Sequence, residues 1–230
     1  MPPLLSLLNI QVPEVQVASA AAIAELSRGN AAVQAVVAKA GAIGPLLALL
    51  GSRSPAAQAH GMSALAQLAS QNRENQDAIA RQDGVRLVVG LLDTPWERTG
   101  DRTPEGSVAV LASAACAVME LSSQNSAIQQ AVVECNGIAM LAALMTSSSA
   151  HADVKAEVAG ALWALSEDAQ IKVLIGKSHA TSSLVELLGE GEERAHNHAS
   201  GALSSLGFDN RESARRISST APRFLALFVS

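Results

Sequence analysis

The feature that most constrains the fold is a pattern that returns at intervals in the forties along the whole chain. Its first marker is a pair of apolar residues ending a leucine-rich run, and the pairs begin at Leu7, Leu49, Leu91, Leu144, Leu187 and Leu227. These positions are 42, 42, 53, 43 and 40 residues apart. A leucine that closes a long Ala-rich segment is the second marker, found at Leu26, Leu68, Leu121, Leu165 and Leu206. Its separations of 42, 53, 44 and 41 place the same single insertion in the third copy. Such a period is typical of repeats built from two or three helices.

Composition agrees with stacked helices. Hydrophobic residues make up 49% of the 230 residues, whereas aromatic residues make up 2% and Tyr is absent. Small and aliphatic side chains must therefore do the packing, and Ala and Leu are good helix formers. One copy cannot bury its apolar face alone, so the copies must stack on one another. The sequence predicts an all-α fold, an α–α superhelix of about five repeats that is partial at both ends.

The two markers divide one domain, residues 1–230, into successive units. The predicted units are residues 2–29, 30–71, 72–124, 125–168 and 169–208, with a partial unit at 209–230. A loop insertion is predicted at 93–106, because that stretch combines Pro, Gly, Thr and charged residues. Residues 1–8 repeat 44–50, so the chain is expected to start within a repeat and to stop before the sixth long helix. We expect a piece of a longer protein, or a chain that dimerises through an open end.

Local signals place the helix ends. Four asparagines and one aspartate stand where a first helix should begin, and their side chains are suited to capping it: Asn30, Asn72, Asn125, Asp168 and Asn210. Gly41 can supply the positive φ that ends the first helix of its unit, and Gly84 is predicted to be the matching break in the next unit.

These segments resemble armadillo repeats over nearly the whole chain. The resemblance rests on G-A-I-G-P-L-L-A-L-L (41–50), V-Q-V-A-S-A-A-A-I-A-E-L-S (15–27), and the cap Asn with its later Gly. The Gly between the first two helices favours this three-helix form over the two-helix HEAT form. The resemblance implies an armadillo repeat solenoid, a right-handed superhelix whose third helices line a concave groove. It also implies that the groove binds an extended peptide or a partner protein.

In well-known family members the third helix carries an Asn that holds the peptide backbone, with a Trp one turn earlier. Alignment on the closing leucine puts Glu25, Gln67, Glu120, Ala164 and Ser205 at the Asn position. One turn earlier stand Ala21, Ser63, Cys116, Gly160 and Gly201. The ladder of nuclear-import receptors is therefore missing, which argues against that role. An alternative register pairs Trp163 with Glu167, but we favour a Trp163 packed in the core.

A further turn back along the same helix face gives Ala18, His60, Ser113, Glu157 and His198. From these rows we predict a partner-binding surface made of Glu25, His60, Ser63, Gln67, Glu120, Glu157, His198 and Ser205. The surface is mildly acidic and would prefer a basic or polar segment of a partner. The alternative is that these are ordinary solvated residues. Trp96 in the insertion is either an interface anchor or a side chain that folds back onto a neighbouring repeat.

Several kinds of chemistry are not predicted. With a net charge of −5 and no basic stripe, nucleic-acid binding is not expected. The GKS at 176–178 lacks the upstream glycine of a phosphate-binding loop, because Ile171 stands there. His196 and His198 are two residues apart and would point to opposite sides of a helix, so no metal site is predicted. No catalytic constellation is apparent, and neither an enzyme activity nor a cofactor is expected.

The function predicted is a non-enzymatic protein–protein interaction scaffold that binds a partner segment in its groove. Cys116 and Cys135 are too few to staple a chain of this size, and no apolar run is long enough to span a membrane. We therefore expect a soluble cytoplasmic protein without membrane insertion. Two alternatives stay open: a homo-oligomer formed through uncapped ends, or an auxiliary domain of a larger enzyme or membrane-tethering protein.

Overall fold

The structure is a computed structural model that describes residues 2–10, 12–93, 104–147, 150–190 and 192–209. In these residues the first seven helices are α1 (Pro2–Leu8), α2 (Pro13–Ser27), α3 (Ala31–Lys39), α4 (Ile43–Leu50), α5 (Pro55–Ala69), α6 (Arg73–Ala80) and α7 (Gly84–Gly90). The next seven are α8 (Pro104–Ser122), α9 (Ser126–Glu134), α10 (Gly137–Thr146), α11 (Ala152–Leu165), α12 (Ala169–Lys177), α13 (Ala180–Glu190) and α14 (Glu193–Asp209). A 3₁₀ turn at Leu91–Asp93 extends α7.

The helices follow one another in the order short, short, long. The long helices α2, α5, α8, α11 and α14 pack side by side in chain order, and the shorter pairs pack behind them. We call these five the third helices. One continuous apolar core runs from Leu8 to Leu206. The predicted all-α repeat solenoid is therefore confirmed, and the exact unit boundaries stay a prediction. The final unit, 209–230, lies outside the described residues except for Asp209, and so does most of the insertion, 93–106.

The predicted caps form as expected. The side-chain oxygens of Asn30, Asn72 and Asn125 accept hydrogen bonds from the backbone N–H three residues later, at 3.1, 3.2 and 3.2 Å. Asp168 performs the same role, accepting from the N–H groups of Gln170 and Ile171 at 2.8 and 3.0 Å. Each cap satisfies donors that the first helical turn leaves without an intrahelical partner. The predicted cap Asn210 lies outside the described residues.

The break between the first and second helices differs in part from the prediction. Gly41 has the expected left-handed backbone, with φ of +89°. Gly84, however, is the first residue of α7, and the left-handed residue is Asp83 with φ of +63°. Gly84 serves close packing, because a Cβ there would lie 2.5 Å from Cγ2 of Ile79 and 2.8 Å from the Ile79 carbonyl oxygen. A side chain at Gly84 is thus excluded by its neighbour rather than by φ.

A ladder of buried glutamines joins successive repeats, and the sequence analysis did not anticipate it. Gln76 Nε2 lies 2.9 Å from the carbonyl oxygen of Glu120 and 3.2 Å from that of Ser123, at the end of the next third helix. Its Oε1 accepts from Asn125 Nδ2 at 3.0 Å. The buried Gln76 side chain therefore links the end of α8, in its own unit, to Asn125, the cap residue that begins the next unit.

The same arrangement recurs on both sides of Gln76. Gln34 Nε2 donates to the Gln67 carbonyl oxygen at 2.8 Å, and its Oε1 accepts from Asn72 Nδ2 at 3.1 Å. Gln129 Nε2 donates to the Ala164 carbonyl oxygen at 3.1 Å. We call Gln34, Gln76 and Gln129 the glutamine ladder.

Over the part of the chain that the structure describes, no single helix has both the length and the apolar character needed to cross a membrane. Two bent pairs, α3 with α4 and α9 with α10, reach that length and composition only jointly.

Candidate functional site

The predicted binding residues are distributed over all five third helices. Glu25 lies on α2, His60, Ser63 and Gln67 on α5, Glu120 on α8, Glu157 on α11, and His198 and Ser205 on α14. Most of these side chains are half-buried; Glu25 is exposed and Glu157 is buried. Whether they bind a partner stays a prediction.

Three of the predicted residues come together where α8, α11 and α14 meet. Glu157 accepts a hydrogen bond from the Cys116 thiol, and the charges of Glu120 and His198 also act on Glu157. Arg194, which the sequence analysis did not consider, pairs with Glu157 through two contacts of 2.8 and 3.0 Å. We call Cys116, Glu120, Glu157, Arg194 and His198 the acidic cluster, since it holds two carboxylates and one guanidinium.

Burial governs the ionisation of this cluster. It raises the pKa of the Glu157 carboxyl, although the nearby Arg194 charge acts in the opposite direction. Burial likewise raises the pKa of Glu120, against a hydrogen bond from Ser70 and the charge of Arg194. The pKa of the Cys116 thiol is raised to about 12 by burial and by the two carboxylates. Cys116 is therefore a neutral thiol between the two acids and not a reactive thiolate.

The positions of the imidazole and guanidinium groups are also defined. His198 Nδ1 donates to the Ala156 carbonyl oxygen at 2.9 Å, which fixes the ring against α11. Arg194 could have been found by counting back one further turn along α14 from His198, on the same face. Its side chain is 59% exposed, whereas that of Glu157 is 9% exposed. The guanidinium thus covers a buried carboxylate from the solvent side.

The remaining predicted residues lie outside the cluster. Glu25 pairs with Arg28 of its own helix end at 2.8 Å, and this hydrogen bond lowers the pKa of Glu25. Ser205 donates to the Ser166 carbonyl oxygen at 3.1 Å, so it links α14 to the end of α11. His60, Ser63 and Gln67 form a half-buried row along α5. Trp96 lies outside the described residues.

Trp163 is not a core residue, and that expectation is wrong. Its side chain is 44% exposed. The indole lies over Gly201 of α14, where a Cβ would come within 2.6 Å of Cδ2 and Cε2 of the ring. The ring of His198 is 6.4 Å away between centroids, at an interplanar angle of 52°. Because Gly201 has no side chain, the indole of Trp163 packs directly on α14. The indole nevertheless stays exposed to solvent on its other side.

Glu167, one turn beyond Trp163, is held at the same surface. Its Oε2 accepts from the Gln124 backbone N–H at 2.8 Å and from Gln129 Nε2 at 3.0 Å. The register that pairs Trp163 with Glu167 therefore combines an exposed aromatic ring with a carboxylate whose position is fixed by two hydrogen bonds. Sequence reasoning weighed this register and did not prefer it.

An open cleft of about 540 Å³ adjoins the acidic cluster at the start of α11 and α14. Its charged lining residues are Asp153, Lys155, Glu157, Glu186, Glu192 and Arg194. Among the described residues, no three side chains of His, Cys, Asp or Glu converge closely enough to hold a metal ion.

Comparison with known proteins identifies the class of this repeat. Residues 125–167 match the sequence model of the Armadillo/beta-catenin-like repeat. A designed armadillo repeat protein superposes with a TM-score of 0.82 at 20% identity, covering 100% of this chain and 92% of the other. The crystal structure of an engineered protein gives 0.84 at 23% identity, covering 99% and 90%. The fold of this chain is thus that of armadillo repeat proteins, and the predicted resemblance is confirmed at that level.

A third similar structure is a designed armadillo repeat protein in complex with the peptide (KR)4, with a TM-score of 0.78 at 21% identity over 99% of this chain and 90% of the other. None of the curated proteins matches the sequence.

Proposed function

We propose that this chain is a non-enzymatic interaction scaffold that binds a basic, extended segment of a partner protein along its third helices. The observation that carries the proposal is the acidic cluster, in which two carboxylates lie between three neighbouring third helices with a single guanidinium. Among the described residues, no Lys or Arg side chain lies within ion-pair distance of Glu120. A basic side chain from a partner would supply the second positive charge.

The exposed indole of Trp163 supports a cationic ligand as well. An Arg or Lys side chain over the face of a Trp is attracted by the ring and buries its own methylene groups there. The Trp163 indole packs against the backbone of α14 at Gly201, and Glu167 lies four residues further along the chain. Little conformational freedom would be lost on binding, because these groups are already positioned.

A similar structure supports a basic peptide as the ligand. One designed armadillo repeat protein was solved with the peptide (KR)4, and its fold matches this chain with a TM-score of 0.78. At 21% identity the likeness concerns the fold, so the proposal for this chain rests on its own charges.

Binding of a labelled (KR)4 peptide, compared with an acidic peptide of equal length, tests the proposal. We expect the basic peptide to bind more tightly, with an affinity that falls as salt is added. Glu120→Lys should weaken binding about tenfold or more, because it places a cation in the site. Glu74→Lys makes the same charge change on the exposed surface of α6 and should have a much smaller effect. Equal binding of both peptides, or equal effects of the two substitutions, would contradict the proposal.

Self-association is a second candidate function. The face of α1 and α2 exposes apolar side chains that a stacked repeat would cover: Leu7, Ile10, Val12 and Leu26. A second copy of the chain could supply that cover. Sedimentation equilibrium checks this: association weakened by Leu26→Gln supports it, and a strict monomer at high concentration rejects it.

We also propose a cytoplasmic location. Cys116 and Cys135 are both free thiols, as is usual in a reducing compartment. Localisation of a tagged chain in cells checks this proposal. The auxiliary-domain alternative stays a prediction, which the sequence of the full gene would test.

A further inference from the structure

The contact between Arg194 and Glu157 is unusual for a structural ion pair. Both carboxylate oxygens of Glu157 are engaged by the guanidinium, at 2.8 and 3.0 Å. The carboxylate is buried, whereas the arginine reaches it from solvent with 59% of its side chain exposed. Arg194 therefore behaves as a ligand laid over the site and not as part of its interior.

The position of Arg194 within α14 gives the second observation. It is the second residue of the helix, where the positive end of the helix dipole disfavours a cation. The helix itself thus gains nothing from an arginine there. Its contribution to the fold comes from the contact with Glu157.

The adjoining cleft provides an alternative place for the guanidinium. Asp153, Glu186 and Glu192 line the same open space as Arg194 and Glu157. An arginine that left Glu157 would move among these carboxylates and would remain charge-compensated in solvent. Its release therefore costs less than exposing an arginine on a neutral surface.

We propose that Arg194 is a specificity-determining residue that occupies the Glu157 carboxylate in place of a partner's basic side chain and is displaced when the partner binds. This inference rests on the proposed function, because it assumes that a basic segment binds at the acidic cluster. A ligand that competes with an internal occupant binds with an affinity reduced by the fraction of time that the site is free. Arg194 then selects for segments whose side chain pairs with the carboxylate more strongly than its own guanidinium does.

The test compares (KR)4 binding to the intact chain and to Arg194→Gln, Arg194→Lys and Lys155→Gln. Lys155→Gln is the matched control, because it removes one positive charge from the lining of the same cleft. We expect Arg194→Gln to bind about tenfold more tightly than Lys155→Gln, since it removes both the charge and the competitor. Arg194→Lys keeps the charge but loses the two-point contact, and it should bind with intermediate affinity.

A second measurement does not depend on any variant folding. The guanidinium NMR signal of Arg194 in the intact chain should shift on addition of (KR)4, while that of Arg86, which pairs with Asp83 away from the third helices, stays in place. If (KR)4 binds the intact chain but the Arg194 signal does not move, or Arg194→Gln binds no more tightly than Lys155→Gln, the inference is wrong and the proposed function stands. If neither the intact chain nor Arg194→Gln binds (KR)4, both are wrong.

Discussion

At the scale of single residues, two glutamates at equivalent positions of different third helices have pKa values that are shifted in opposite directions. Glu120 is half-buried and its pKa is raised by burial, whereas Glu25 is exposed and its pKa is lowered by Arg28. A buried acid with a raised pKa opposes folding when it is charged. Stability should therefore rise as the pH falls from neutral through the folded pKa of Glu120 toward its unfolded value, 4.5.

Glu120→Gln tests this electrostatic cost. We expect the variant to be more stable than the parent at pH 7, because it removes a charge that burial disfavours. The gain should shrink as the pH falls toward 4.5, where the parent carboxyl becomes protonated. Urea unfolding at a series of pH values measures it. Glu25→Gln should show a small change of the opposite sign, and a Glu120→Gln gain that does not depend on pH would contradict the explanation.

Left-handed residues that are not glycine offer a second residue-scale prediction. Gln71 has φ of +52° and an exposed side chain. Gln71→Gly should stabilise the fold by about 0.5–1 kcal/mol, because Gly adopts this conformation without the clash of a Cβ. Gln82→Gly is the control, since Gln82 is exposed and has no positive φ, and it should be destabilising. Thermal unfolding of the two variants measures the difference; changes of equal sign would contradict the argument.

Residue types in the sequence predicted the helix caps but not the residue that takes the left-handed conformation between α6 and α7. The cap asparagines were correctly predicted because the capping bond is local and needs only the side-chain oxygen. The break between the helices was predicted at Gly84, but Gly84 is the first residue of α7 and the left-handed residue is Asp83. What requires Gly84 is the approach of Ile79, which no local signal in the sequence reports.

At the scale of helices, the glutamine ladder shows how a repeated polar residue becomes structural. A Gln stands four residues after the cap Asn in three successive units, as in Asn30 with Gln34 and Asn72 with Gln76. The spacing is visible in the sequence, but a glutamine on a helix is ordinarily solvated. Its burial comes from tertiary packing: Gln76 lies between the end of α8 in its own unit and the end of α5 in the preceding unit, and it contacts carbonyl oxygens of both.

Removing one glutamine of the glutamine ladder should weaken the packing between repeats. Gln76→Ala is expected to destabilise the chain by about 2–3 kcal/mol, because buried partners such as the Glu120 carbonyl oxygen lose a donor. Gln130→Ala removes an exposed glutamine that contacts Asp168 at 3.3 Å, and it should cost less than about 0.5 kcal/mol. Urea unfolding compares the two variants. Similar losses would show that the ladder adds nothing beyond surface hydrogen bonds.

The contact between α11 and α14 depends on glycine at two steps. A Cβ at Gly201 would meet the rigid ring of Trp163 at 2.6 Å. One at Gly160 would meet Nδ1 of His198 on α14 at 2.8 Å and Sδ of Met119 on α8 at 2.6 Å. Gly201→Ala should destabilise by about 1–3 kcal/mol through overpacking and should shift the Trp163 emission, measured with Trp96 replaced by Phe. Gly160→Ala should also destabilise, because the end of Met119 can move but the His198 ring is held by its hydrogen bond to the Ala156 carbonyl oxygen. An unchanged Trp163 spectrum in Gly201→Ala would contradict the contact.

At the scale of the whole molecule, burial is conferred by the neighbouring repeat. The closing leucines Leu68, Leu121, Leu165 and Leu206 are fully buried or nearly so, whereas Leu26 at the equivalent position is 47% exposed. The same residue in the same local helix thus has two environments, and only stacking distinguishes them.

Truncating two of these leucines separates local from stacking contributions. Leu68→Ala should cost about 2–5 kcal/mol, because it leaves a cavity between repeats. Leu26→Ala should cost less than about 1 kcal/mol, since much of its side chain already meets solvent. Denaturant unfolding of both variants is the measurement. Equal losses would mean that the position is stabilised within its own repeat.

The architecture could be predicted from the sequence because a period is a global signal, repeated in every unit. The site could be predicted only in part. Counting along helix faces found Glu120, Glu157 and His198, which the structure brings together around Cys116. It missed Arg194, which lies one further turn back along α14 from His198. That Arg194 pairs with Glu157 depends on the stagger between repeats, which the spacing of leucines does not encode.

The glutamine ladder has a consequence for how the chain accommodates extra sequence. Gln34 reaches a carbonyl oxygen 33 residues ahead at 2.8 Å, and Gln76 reaches the equivalent one 44 residues ahead at 2.9 Å. The added length before α8 leaves the bond unchanged, because each glutamine contacts the end of a third helix, which follows any inserted residues. We therefore expect that a foreign segment such as a fluorescent reporter or an epitope can be inserted between Asp93 and Pro104 with the superhelix intact.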